Sequence, residues 1–122
     1  GPGLATELPA VFSEIKDEIV DGRERVRLFK TVLGSYARLT RKVYPSKWGN
    51  YCAQFVEIKL DTKPPRLRFG RYCDGWGDRP PRVYKIDLDI KKAVKLYRRL
   101  LEINTINEFD GLYLELSRRY DK

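Results

Sequence analysis

Hydrophobic residues in the first part of the chain recur at three- and four-residue intervals, which is the spacing of an amphipathic helix. One stripe follows Thr6, a residue type that caps helices, and stops at Asp21-Gly22: Leu8, Val11, Phe12, Ile15 and Ile19. A second stripe lies within residues 23–43, ahead of Pro45: Val26, Phe29, Leu33, Tyr36 and Ala37. The spacing therefore predicts an N-terminal helical pair.

From residue 51 onward the spacing changes to two, which is the period of a β-strand. Residues 51–61 and 66–74 each alternate apolar with polar side chains, and a short turn joins them. If the two runs pair antiparallel, the residues that lie opposite each other are Ile58 and Leu67, Val56 and Phe69, Glu57 and Arg68, and Phe55 and Gly70. Opposite charges, and an aromatic ring over a glycine, are favoured cross-strand pairs. We expect these residues to form a hairpin.

The same register brings Cys52 opposite Cys73. One outcome is a cross-strand disulfide, and the other is a pair of buried thiols in a reducing compartment. We expect thiols and an intracellular location, because nothing in this sequence resembles the apolar region of a secretory leader and two cysteines are too few for a disulfide scaffold.

The last part of the chain is predicted to be a strand followed by helical segments. Residues 82–90 alternate again, and residues 91–103 have the pattern of an amphipathic helix. Thr105 and Glu108 have the spacing of a capping box, and the apolar stripe behind them indicates a second helix. The alternating leucines of residues 112–116 fit a strand nearly as well, so both interpretations stay open.

These elements predict an α+β fold with an N-terminal helical pair, an antiparallel sheet of three or more strands, and one or two C-terminal helices packed on one face. The 122 residues suit a single domain, which we assign to residues 4–122. Gly1-Pro2-Gly3 resembles the remnant of a protease cleavage site, and no initiating Met follows it, as expected for a fragment of a longer protein.

Composition and charge exclude several classes of functional site and indicate a kind of partner. The chain has no histidine, which excludes His-based triads and His-ligated metals. We expect no cofactor, no metal and no membrane partner, since no apolar run has the length of a bilayer span. Lys and Arg number 25 against 17 Asp and Glu, a net charge of +8, and the bases are densest in residues 22–47. A basic segment of this density is expected of a protein that binds a phosphate backbone.

The residues predicted to contact nucleic acid belong to two surfaces. The basic second helix contributes Arg38, Arg41 and Lys42. The polar face of the sheet and its adjoining loop contribute Tyr51, Phe55, Lys59, Arg66, Arg68, Tyr72, Trp76, Arg79 and Lys85. Because rings stack on unpaired bases while cations neutralise phosphates, the sequence predicts single-stranded DNA or RNA as the partner. This interpretation requires that face of the sheet to be uncovered.

Residues 55–104 also resemble a known family. They contain, in order, the strand Phe55-Val-Glu-Ile-Lys, a short basic turn, the strand Leu67-Arg-Phe-Gly-Arg-Tyr72, a Gly/Pro loop, a strand ending in Ile86-Asp-Leu88 and a long amphipathic helix. This order resembles the single-stranded-DNA-binding core of the transcriptional coactivators called positive cofactor four. The resemblance implies a homodimer that acts in transcription and binds single-stranded DNA with little sequence preference. The positions that carry over are Lys59, Arg68 and Tyr72.

Two other functions remain open. A protein-interaction or self-assembly domain would pair the acidic first helix with the basic second helix of another molecule. A Mg²⁺-dependent, restriction-endonuclease-like nuclease would use Asp74 with Asp89 and Lys91, or the triplet Glu57-Ile58-Lys59, to hold the metal and polarise the attacking water. Because acid-x-Lys spacing is common on charged strands, non-catalytic binding is the preferred interpretation.

Overall fold

A computed structural model of the chain describes residues 12–45, 51–74 and 80–122. In these residues six antiparallel strands, hydrogen-bonded in chain order, precede two helices. The strands are β1 (Phe12–Asp21), β2 (Glu24–Leu33), β3 (Tyr36–Pro45), β4 (Cys52–Lys59), β5 (Arg66–Cys73) and β6 (Arg82–Asp87). The helices are α1 (Ile90–Glu102) and α2 (Ile106–Tyr120). The fold is α+β, with the helices following the sheet.

The predicted N-terminal helical pair is wrong, because residues 12–45 form β1, β2 and β3. The apolar residues of this segment also fit a period of two, so Leu28 and Leu39 are buried while Arg25 is exposed. Gly22 and Gly34 have φ angles of 56° and 57°, and each opens a two-residue turn between paired strands. A glycine with positive φ at this position is typical of type II′ hairpin turns. The start of the first predicted helix lies outside the described residues.

The β4–β5 hairpin is confirmed in the predicted register. Its pairs include Glu57 with Arg68 and Phe55 with Gly70. The next strand is shorter than expected, because β6 ends at Asp87 and Asp89 instead caps α1 by accepting a hydrogen bond from the backbone N–H of Lys92 at 2.9 Å.

The C-terminal segment is a helix, and the strand interpretation of residues 112–116 is wrong. The capping box is present: Thr105 Oγ1 accepts from the backbone N–H of Glu108 at 3.1 Å, and Glu108 Oε1 accepts from the Thr105 hydroxyl at 2.8 Å. The first bond satisfies a backbone donor that a helix start leaves free, which favours a helix over a strand here.

The core lies between one face of the sheet and the two helices. Its buried members include Leu28, Leu39, Val56, Ile58, Leu67 and Phe69 from strands and Ala93, Leu100, Phe109, Leu112 and Leu116 from helices. Two hydrogen bonds also join the sheet to the helices. Lys30 Nζ donates to the carbonyl of Leu101 at 2.5 Å, and Asp17 Oδ2 accepts from the N–H of Ile106 at 3.0 Å. Both helices therefore pack on the same face of the sheet, and neither helix covers the opposite face.

The expectation of two buried thiols is wrong. Cys52 and Cys73 form a disulfide, and Cys52 is exposed at the start of β4. The register had placed the two residues opposite each other, and the strand ends bring their Cα atoms to 4.0 Å. Neither α1 nor α2 is long and apolar enough to span a bilayer.

Candidate nucleic-acid interface

The sheet face that carries neither helix is called the open face. Leu28, Leu39 and Val56 are buried on the helix side. Because side chains alternate along a strand, the residues next to them point to the open face. Its cations are Arg25, Arg27, Arg38, Lys42, Lys59, Arg66, Arg68 and Lys85. Its acids within the described strands are Glu18, Glu57 and Asp87. Cations outnumber acids, so the open face is positively charged.

At the middle of the open face, one carboxylate holds two arginines; we call Tyr36, Arg38, Glu57 and Arg68 the arginine clamp. Glu57 is 2% exposed. Its Oε1 accepts from the Tyr36 hydroxyl at 2.8 Å and from Arg38 Nη1 at 3.0 Å, and its Oε2 accepts from Arg68 Nη1 at 2.7 Å. Charge-assisted bonds of this kind fix both guanidinium groups in place.

Protonation of the clamp follows from the same contacts. Burial by itself would raise the pKa of Glu57, but the hydrogen bonds from Tyr36, Arg68 and Arg38 outweigh it and hold the pKa below its ordinary value. Burial, followed by the hydrogen bond to Glu57, raises the pKa of Tyr36. The Glu57 carboxylate therefore stays ionised at neutral pH.

Phe55 lies beneath the clamp. Its ring is 4.2 Å from the guanidinium carbon of Arg38 and 5.7 Å from that of Arg68, which are cation–π distances. Phe55 is only 2% exposed. The ring predicted to stack on a base is therefore covered by the two arginines, and it acts in this structure as their platform.

Three half-buried tyrosines extend the aromatic surface towards the end of the sheet that carries Gly22; we call Tyr44, Tyr51 and Tyr72 the tyrosine cluster. The ring centroids of Tyr44 and Tyr51 are 5.6 Å apart, and those of Tyr51 and Tyr72 are 6.4 Å apart. Tyr72 continues the row to Phe55 at 6.0 Å. Lys42 Nζ lies 4.6 Å from the Tyr51 ring. The four rings thus form a continuous row across the sheet, with Lys42 beside Tyr51 and the two clamp arginines over Phe55.

The remaining predicted residues divide between the faces. Lys59, Arg66 and Lys85 are exposed on the open face, towards the end of the sheet that carries Gly34. Arg41 lies on the helix side of the sheet, because neighbouring residues of a strand such as Arg41 and Lys42 point to opposite faces. There, Arg41 Nε lies 3.2 Å from Asp110 Oδ1. Trp76 and Arg79 lie outside the described residues.

The sequence interpretation missed several open-face residues: Arg25, Arg27, Phe29, Tyr36 and Tyr44. Arg25, Arg27, Phe29 and Tyr36 fall within the predicted second helix, on which they would point in several directions, and Tyr44 follows that helix. The signal that could have found them is the Gly34-Ser35 dipeptide, which favours a hairpin turn between two alternating runs.

The acidic residues considered for a nuclease do not converge. Asp74 follows β5 at the end of the sheet that carries Gly22, where its N–H donates to the carbonyl of Tyr51. Asp89 follows β6 at the opposite end, roughly 25 Å away across the length of β5. Glu57 is occupied by the clamp. Within residues 12–45, 51–74 and 80–122, no group of three acidic or cysteine side chains is placed to hold a metal ion.

Comparison with known proteins identifies no relative: no family model, no curated protein and no solved structure matches the chain.

Proposed function

We propose that this protein binds single-stranded nucleic acid on the open face, without catalysis. The observation that carries the proposal is the row of aromatic rings and fixed cations on a sheet face that neither helix covers. A cationic sheet face with partly exposed aromatic rings is a recurring solution for binding flexible polyanions whose bases are unpaired.

The tyrosine cluster supplies the stacking surfaces in this proposal. Its rings are partly exposed, whereas Phe55 is covered by Arg38 and Arg68. Stacking of a base on an aromatic side chain contributes about 1–3 kcal/mol and tolerates every base. We therefore expect little sequence preference, with binding centred on Tyr51 and Tyr72.

The arginine clamp supplies fixed positive charge. Glu57 bonds one terminal nitrogen of each arginine, and the side chains of Arg38 and Arg68 remain 24% and 35% exposed. Their conformational entropy has been lost in folding, so less is lost on binding a phosphate. Lys59 and Lys85 lie beside the clamp and add flexible cations.

Titration of a fluorescent oligo(dT) across a salt series tests the proposal. Lys85→Ala removes one exposed cation, and the slope of log affinity against log salt should fall by about 0.7 if one phosphate contact is lost. Tyr72→Leu keeps an apolar side chain but removes the ring, and affinity should fall about 5- to 100-fold with the slope unchanged. Arg118→Ala, at the exposed end of α2, is the charge-matched control and should change little.

The proposal is wrong if the wild-type protein does not bind at low salt, or if Lys85→Ala and Tyr72→Leu both behave like Arg118→Ala. The same titration with Mg²⁺ tests the nuclease alternative, for which cleavage lost in Asp89→Ala would be the supporting result.

The protein-interaction alternative has less support. Its acidic segment is β1, and its basic segment forms β2 and β3. β1 pairs with β2 of the same chain, where Glu18 lies 3.0 Å from Arg25 and 3.3 Å from Arg27, so these charges are engaged internally. The homodimer and the intracellular location stay predictions, which sedimentation and fractionation would test.

A further inference from the structure

A second cationic surface runs along the outer side of α1, and we call Lys91, Lys92, Lys95 and Arg98 the α1 ridge. All four side chains are exposed, and none has an ion-pair partner within the part of the chain that the structure describes. The neighbouring Arg99 differs, since its Nη1 is bonded to Glu115 at 2.6 Å. The α1 ridge therefore presents four cations without an ion-pair partner among the described residues, and Glu102 is the acid that lies on the same side of α1, at its C-terminal end.

The position of these charges is not explained by helix stability. The positive end of the helix dipole lies at the N-terminus, where acidic residues stabilise and cations destabilise. The first turn of α1 contains no acidic residue and carries Lys91 and Lys92 instead, with Asp89 as the cap. A surface chosen for stability alone would place these cations at the other end of the helix.

The α1 ridge faces away from the open face. Ala93 and Leu100 are buried against the helix side of the sheet, which turns the charged side of α1 outward. Lys91, Lys95 and Arg98 recur at helical spacing on one side of α1, about 5 Å apart along its axis. The sheet and the helix layer separate the two cationic surfaces, so a polyanion on one does not compete with a polyanion on the other.

We propose that the α1 ridge is a second nucleic-acid site, and that the protein holds two strands at once and brings them together. This inference rests on the proposed function of the open face. The exposed ridge is made of cations without aromatic rings, since the Tyr97 hydroxyl of α1 donates to the carbonyl of Gly34 at 2.7 Å. The second strand is therefore bound through its phosphates alone, whatever its bases.

The test uses two oligo(dT) strands, one carrying a donor dye and the other an acceptor, mixed with the whole protein. Energy transfer reports bridging, and a titration of one labelled strand reports the number of strands per protein. The ridge variant is Lys91→Gln/Lys95→Gln/Arg98→Gln. A matched control, Arg118→Gln/Arg119→Gln/Lys122→Gln, removes three cations from the end of α2 and its tail.

We expect the wild-type protein and the control to bind two strands and to give energy transfer. The ridge variant should bind one strand with an affinity within about threefold of wild type, and its energy transfer should be lost. Bridging that persists in the ridge variant overturns the inference, because two open faces of a dimer would then explain it. Equal loss in the control also overturns it, since net charge alone would be responsible.

The open-face variant Tyr72→Leu/Lys85→Ala separates this inference from the proposed function. If that variant binds both strands as tightly as wild type, the proposed function fails. If the open-face variant loses affinity at the open-face site while the ridge variant still bridges two strands, the inference fails and the proposed function stands. A third outcome is that the wild-type protein binds phosphatidylserine vesicles, the ridge variant does not, and neither bridges two strands. That outcome would assign the α1 ridge to membranes and overturn the inference.

Discussion

Replacement of Glu57 by Gln tests the centre of the open face most directly, independently of any ligand. Glu57 is 2% exposed and accepts hydrogen bonds from Tyr36, Arg38 and Arg68. Glutamine has nearly the same shape, so little packing changes. It lacks the negative charge, and because one arginine donates to each Glu57 oxygen, its NH₂ group would face Arg38 or Arg68 donor to donor.

The expected loss of stability is about 2–4 kcal/mol. One hydrogen bond to a charged group contributes about 1.5–3 kcal/mol, and removal of one member of a buried ion pair costs about 3–5 kcal/mol. The expected loss stays below the upper limit of the second range, because the Arg38 and Arg68 side chains are 24% and 35% exposed and water screens them. In urea, the midpoint should fall by roughly 1–2 M at an unchanged slope.

The loss should also depend on pH. The pKa of Glu57 is lower in the folded protein than in the unfolded chain, so the ionised form stabilises the fold above about pH 4.3, the ordinary value for glutamate. That contribution disappears as the pH falls through the lowered pKa. The difference in unfolding free energy between wild type and Glu57→Gln should therefore be largest at neutral pH and should narrow on acidification.

Urea unfolding followed by circular dichroism at several pH values measures both quantities. Glu102→Gln is the control, because Glu102 is exposed at the end of α1, and we expect it to change stability by no more than about 0.5 kcal/mol. A Glu57→Gln protein as stable as wild type at neutral pH, or a difference that does not change with pH, would refute the assignment of Glu57 as the ionised centre of the clamp.

Two further predictions concern the strands around the candidate site. At Gly70 an added Cβ would lie 2.0 Å from the carbonyl oxygen of Arg82, so Gly70→Ala should displace β6 and cost at least about 1–3 kcal/mol. Gly111→Ala, in the interior of α2 where nothing lies within 4 Å of the added Cβ, should instead stabilise by up to about 1 kcal/mol. Urea unfolding measures both variants, and equal effects would contradict the predicted difference. The Cys52–Cys73 disulfide joins residues 21 apart, so Cys52→Ser/Cys73→Ser should lower the unfolding free energy by about 3 kcal/mol. Reductant should then destabilise the wild-type protein and leave the double variant unchanged, and a reductant effect on both would disprove the role of the bond.

The elements with a strong local signal were predictable from the sequence. The β4–β5 register follows from paired alternation in two neighbouring runs, and the start of α2 follows from the Thr105 and Glu108 capping box. Both signals lie within a few residues of the structure they determine. The open-face positions of Phe55, Arg68 and Tyr72 followed from the same register.

The first half of the fold was not predictable in the same way. Residues 23–43 satisfy helical and strand periods together, so local pattern could not decide between a helix and the β2–β3 hairpin. The hairpin is stabilised by pairing with β1 and β4 and by burial under α1 and α2, which are contacts between residues distant in sequence.

The chemistry of the candidate site divides in the same manner. The residue types, the net positive charge and the alternation of residues 51–74 were determined by the sequence alone. Only the tertiary structure decided that Arg38 and Lys42 join the open face while Arg41 turns to Asp110, and that Phe55 lies under two arginines. The physical reason is that the face on which a side chain lies depends on strand or helix geometry, and that geometry was selected by long-range pairing and burial.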